Sequence, residues 1–170
     1  MGKYPFYYIT ILICLILTQV LICNHIMLFN VAMAFVFIYV ILRLPMYVST
    51  SWLLTWAFFS GLLVDLFSDT PGVNALACTL LAVAKRPVLY AYTTRDDRTK
   101  DIEPTLSSLG FSVYAKYLLT LSTLYCFFVF MIEYFNFADV KEIVIMSASS
   151  SLFTFLILMG VDSLIVNKSK

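Results

Sequence analysis

The stretch FFSGLLVDLFSDTPGVNA, residues 58–75, sets two aspartates, Asp65 and Asp69, in a run that is otherwise mostly apolar. It also gathers Gly61, Pro71, Gly72 and Asn74. Pro71-Gly72 is a turn signal, and apolar residues lead both into the turn and out of it. The segment therefore reads as a tight helical hairpin. Gly61 and Asp65 stand four apart and share a helix face. A glycine on such a face lets a neighbouring helix approach closely. Beyond the turn, Asn74, Ala77 and Cys78 are small or polar at helical spacing, and Ala75, Thr79 and Ala82 make a second small stripe. The pattern predicts a hydrogen bond between Asp65 and Asn74 near the tip. Asp69 or Thr70 is expected to cap the second helix.

Composition puts this hairpin in a membrane. Of 170 residues, 62% are hydrophobic and 12% charged, and the mean hydropathy is +0.94. One soluble domain of this size could not bury so much apolar surface. Apolar runs of spanning length, about 20 residues each, fall at residues 5–23, 26–44, 47–67, 73–92, 111–135 and 143–166. The expected fold is a single all-α membrane domain over residues 1–170, with six transmembrane helices. The first run has no small-x-small cleavage site and reads as an uncleaved span. Pro45 predicts a break after the second run, and Trp52 and Trp56 mark an interface near the start of the third. The fourth run has only twelve purely apolar residues before Lys85-Arg86-Pro87. Snorkelling of Lys85 and Arg86 to the interface would let it cross; Pro87 is expected to kink or end it, and a re-entrant path is the other reading.

Charge placement orients the spans. With a cytoplasmic N-terminus, Lys3, Arg43, Lys85, Arg86, Arg95, Arg98, Lys100, Lys116, Lys168 and Lys170 lie inside, and Lys141 alone lies outside. Ten basic residues against one predict both termini in the cytoplasm. The 93–110 segment is then a cytoplasmic loop, opening on the charged run TTRDDRTKDIEP. It reads as a solvated hairpin or as a contact site for a cytoplasmic partner. The outer connections are short, so the protein is expected to act within the bilayer or at its rims.

Ionisable residues in a membrane are functional candidates by default. Counting from Tyr47 puts Asp65 about 27 Å along its helix, near the outer interface. Glu133 also falls near an outer end, and Asp162 four residues before the inner end of the sixth span. Asp162 reads as an inner-rim ion pair or as a packing or binding residue. The patch SASSS, with Ser147, Ser149, Ser150 and Ser151, is small and hydroxyl-rich. It predicts an intramolecular helix seam or a partner's docking face. Cys14, Cys23, Cys78 and Cys126 are scattered and read as small hydrophobes, and the single histidine, His25, has no Cys/His cluster around it. No catalytic set, metal site or cofactor is predicted. A rhomboid-type protease needs a serine with a histidine, an alcohol phosphatidyl-transferase a longer aspartate array, and a nucleotide enzyme a Gly-rich loop.

Residues 61–82, GLLVDLFSDTPGVNALACTLLA, resemble the signature of the rod shape-determining protein MreD family. It runs Gly, three apolar residues, Asp, a short polar turn, then Gly-x-Asn-Ala into another span. The matching positions are Gly61, Asp65, Pro71, Gly72, Asn74 and Ala75. Lys85-Arg86-Pro87 has no counterpart in the pattern. The resemblance implies a non-enzymatic, multi-pass protein of the bacterial inner membrane, part of the cell-elongation machinery. Its implied partners are an MreC-like single-span protein, and with it MreB filaments and peptidoglycan synthases, besides membrane lipids; no nucleic acid is implied. It also implies a fold similar to the substrate-binding components of energy-coupling-factor transporters. A small-molecule-binding component of a vitamin-type transporter is therefore the competing expectation.

Overall fold

A computed structural model describes residues 4–23, 33–93, 103–134 and 140–167. His25, most of the charged loop, the connection at 135–139 and the terminal lysines Lys3, Lys168 and Lys170 lie outside the described residues. Seven α-helices are described: α1 Tyr4–Thr18, α2 Ile38–Arg43, α3 Thr50–Ser68, α4 Val73–Tyr92, α5 Leu106–Leu109, α6 Phe111–Tyr134 and α7 Val140–Asn167. A π turn, Gln19–Cys23, continues α1. Four of these helices, α3, α4, α6 and α7, are long and apolar enough to cross a membrane.

These four follow the apolar runs closely, because a backbone in hydrocarbon must satisfy its own hydrogen bonds and a helix does so locally. Helix α4 continues through Pro87 to Tyr92, rather than ending there. Lys85 does not snorkel outward. Its side chain is fully buried, with Nζ donating to the Leu44 carbonyl. Arg86 instead reaches across to the start of α3, donating to Thr50 Oγ1 (2.8 Å), Val48 O (2.6 Å) and Met46 O (3.2 Å). Both cations thus close the α2–α3 connection, whose carbonyls are left free where Pro45 ends the helix.

The second apolar run differs from expectation. It is not one helix over residues 26–44: residues 33–36 are non-helical and α2 has only six residues, while residues 24–32 lie outside the described part. The run is nonetheless deeply buried. Phe37, Ile38 and Tyr39 have no exposed surface. Phe35 and Phe37 meet the Tyr125 ring edge-on, with centroids 5.2 and 6.0 Å away. The run follows α7 in the same direction: Met33 meets Ser150, Phe35 meets Thr154, and Tyr39 meets Asp162. Those contacts cover twelve residues of α7, or about 18 Å, while six residues of helix would rise only about 9 Å. The non-helical stretch supplies the missing length.

Candidate functional site

Two groups of buried polar side chains stand out, and both use side chains to satisfy backbone that a helix leaves open.

The first is the α3–α4 tip. Asp69 ends α3 in the left-handed conformation, and Gly72, also left-handed at φ 82°, is the N-cap of α4. Only glycine takes such a φ without strain from a side chain. Neither Asp69 nor Thr70 caps α4 as expected; among the described caps, Gly72 has no side-chain bond to offer. The cap comes from the preceding helix. Asp65 Oδ1 accepts from the Asn74 backbone N–H at 3.0 Å, and Oδ2 from the Ala75 N–H at 2.9 Å. One carboxylate therefore holds the second and third N–H groups of α4, where the helix dipole favours negative charge. Thr70 Oγ1 and Asn74 Nδ2 donate to the same oxygen, Oδ1, at 2.8 and 2.9 Å. The Asp65–Asn74 hydrogen bond anticipated from the sequence is present, and Tyr125 extends it by donating to Asn74 Oδ1 at 2.6 Å.

Gly61 makes this geometry available. A Cβ built there would fall 2.5 Å from the Asn74 carbonyl oxygen and 2.6 Å from Ala75 Cα. Those are backbone atoms of the facing helix, so α3 and α4 touch without a side chain between them. The tip is also buried: Asp65 and Asn74 are each 5% exposed.

The second group surrounds the break in the second run. Gln19, in the π turn, donates from Nε2 to Ala34 O at 2.9 Å and accepts the Val36 N–H at Oε1, at 2.8 Å. Ser150 Oγ accepts the Met33 N–H at 3.0 Å, and Thr154 Oγ1 the Phe35 N–H at 3.1 Å. Non-helical backbone at membrane depth is tolerated where protein groups bond it, and here they do. Of the serine patch, Ser150 alone is seen bonding this segment. Ser149 and Ser151 bond carbonyls of their own helix, and Ser147 Oγ is buried with no hydrogen-bond partner among the described residues.

The same run ends on Asp162, which is fully buried. Its Oδ1 accepts from Tyr39 OH at 2.6 Å and lies 3.5 Å from Arg43 Nη1; its Oδ2 accepts the Leu106 backbone N–H at 3.0 Å. Arg43 also donates to Tyr39 OH. Of the two readings of Asp162, the ion pair is present, in a packed setting. Tyr117 OH closes the same end by donating to Leu42 O at 2.9 Å.

Sequence reasoning missed Gln19, Thr154, Tyr125 and Tyr39. Gln19 carried a signal, as the chain's single glutamine set within an apolar run. Thr154 lies four residues beyond Ser150, on the same helix face. The tyrosines carried none, since an aromatic in a membrane helix is ordinary. No group of three or more potential metal ligands occurs among the described residues. No family model, curated protein or solved structure matches the chain.

Proposed function

We propose that the protein is a non-enzymatic scaffold of the bacterial cell-elongation machinery. In this reading it crosses the inner membrane six times with both termini in the cytoplasm. It binds an MreC-like single-span protein and helps couple MreB filaments to lateral peptidoglycan synthesis. The observation that carries the reading is the α3–α4 tip. Gly61, Asp65, Gly72, Asn74 and Ala75, five of the six positions that resemble the MreD signature, interlock in one hairpin. Each residue type answers a physical need there: close approach, capping charge, positive φ, side-chain amide. The basic-residue asymmetry supports the orientation. The direction of the second run along α7 supports its crossing as a broken segment.

Because Asp65 and Gly61 build the hairpin, they are poor probes of partner binding. Outward-facing residues are better ones. On α3, Phe59, Leu63 and Leu66 are exposed, and on α7, Ile145, Leu152 and Leu156. The test is purification of the tagged protein from bacterial membranes, with photo-crosslinkers placed singly at these six positions. Capture of a single-span elongation protein from one helix face is the expected result. If the folded wild-type protein co-purifies with no elongation component, and its depletion leaves rod shape intact, the scaffold reading fails.

A second reading is supported by the break at residues 33–36. Discontinuous membrane helices often build substrate sites in transporters. A small-molecule carrier would be stabilised against heat by its ligand. A thermal-shift screen of the purified protein with water-soluble vitamins separates the two readings.

A further inference from the structure

Asp162 joins three elements that are distant in sequence. Through Oδ1 it holds Tyr39 and Arg43 of α2, just past the break; through Oδ2 it holds the N–H of Leu106, the first residue of α5. Helix α5 is a single turn, closed by a reciprocal cap. The Ser108 N–H bonds Thr105 Oγ1 at 3.3 Å and the Thr105 N–H bonds Ser108 Oγ at 3.1 Å. It ends at Gly110 and leads directly into α6. So short a turn is not stable by itself. It is held by Leu106 and Leu109, which pack against the core, and by the buried carboxylate of α7, which receives its leading N–H.

The same carboxylate holds the far end of a run whose near end, residues 33–36, is non-helical. That run is held at the break by Gln19, Ser150 and Thr154, and beyond it by Asp162, with Tyr117 at the Leu42 carbonyl and Lys85 at the Leu44 carbonyl. If the Leu106 N–H leaves Asp162, a buried charge loses a hydrogen bond in an apolar setting. Asp162 then has reason to shift, and Tyr39 and Arg43 move with it.

We propose that Asp162 is a coupling residue: it links the turn at 105–109, which follows the charged 93–104 loop, to the broken segment 33–43. Opening at either place loosens the other. The coupling is independent of whether the protein serves as scaffold or carrier, and it gives the loop side of the molecule a mechanical route into the bundle.

Leu106→Pro tests this directly. Position 106 is the first residue of α5, where proline is well tolerated. Thr105 is already extended (φ −131°, ψ 162°), as a residue before proline should be. The substitution therefore removes the N–H that Asp162 accepts while retaining the turn. Leu106→Ala is the control, because it trims the side chain and keeps the N–H. The measurement is amide hydrogen exchange of the full chain in lipid nanodiscs. Leu106→Pro should raise exchange over residues 37–43 by about tenfold or more, the lower bound for one lost hydrogen bond to a charged group, and Leu106→Ala should not. Linkage requires the reverse effect as well: Gln19→Leu, which loosens the break, should raise exchange at 106–109. Unchanged exchange at 37–43 in Leu106→Pro overturns the proposal. Should that variant fail to fold, unchanged exchange at 106–109 in Gln19→Leu overturns it instead.

Discussion

The α3–α4 tip and the break before α2 are built on the same principle but differ in range. In each, a side chain bonds backbone groups that no helix satisfies. At the tip, Asp65 reaches residues nine and ten places ahead of it. At the break, Met33 and Phe35 bond side chains 117 and 119 residues away. The tip's backbone bonds are local, made between two adjacent helices, and α6 adds only the Tyr125 bond to the Asn74 side chain. The break's backbone is bonded only once Gln19 and α7 are in place, so it depends on the assembled bundle.

Substitutions can push on that contrast. Gly61→Leu should have the largest effect. Its Cβ alone would lie 2.5–2.7 Å from backbone atoms of Asn74 and Ala75, and relief requires α3 and α4 to part. Overpacking typically costs about 1–3 kcal/mol and occasionally more; with backbone on the far side, loss of folded protein from detergent extracts is expected. Next comes Gln19→Leu, which strands the Val36 N–H and the Ala34 carbonyl together. At about 1–3 kcal/mol for each unsatisfied group, its melting temperature in detergent should fall well below that of wild type.

Asp65→Ala and Asp65→Asn sharpen the capping account. Alanine strands the Asn74 and Ala75 N–H groups and should cost more than about 2 kcal/mol. Asparagine keeps one acceptor and should recover part of it. Equal losses in thermal melts would mean that one oxygen is not enough and that the cap needs the full carboxylate. Thr154→Val, nearly isosteric, should cost about 1–3 kcal/mol and raise amide exchange at Phe35 while leaving the tip untouched. The smallest effect is expected for Ser149→Ala, whose hydroxyl bonds only its own helix at Ile145 and Met146; a melt within about 0.5 kcal/mol of wild type would fit. If Ser149→Ala were as damaging as Ser150→Ala, the serine patch would be acting as one packing seam and not through the Ser150–Met33 bond.

Much of the frame was legible beforehand. The third, fourth, fifth and sixth apolar runs, 47–67, 73–92, 111–135 and 143–166, correspond to the helices Thr50–Ser68, Val73–Tyr92, Phe111–Tyr134 and Val140–Asn167. The hairpin was legible because its needs are short-range: a turn dipeptide, a small residue on a facing surface and an acid near an amide. One detail of it is not. Caps usually sit beside the helix start, where Asp69 and Thr70 stand, but Asp65 reaches the start of α4 from the helix before.

The break could not be read at all. Met33-Ala34-Phe35-Val36 contains no glycine or proline, and hydropathy scores an apolar stretch alike whether it is helical or not. Lys85 misled for a related reason. A lysine near a span end ordinarily snorkels, but here a carbonyl freed by the Pro45 break waits inside the bundle for it. The sequence by itself determined that this is a membrane protein, where most of its helices run, and that α3 and α4 turn back on each other, because burial in hydrocarbon and short-range hydrogen bonding depend on composition and near neighbours. Only the tertiary structure decided that the second run breaks, and that Gln19, Ser150, Thr154 and Asp162 hold it. A backbone leaves the helix in an apolar medium only where distant side chains are already positioned to bond it, and their positions belong to the assembled fold.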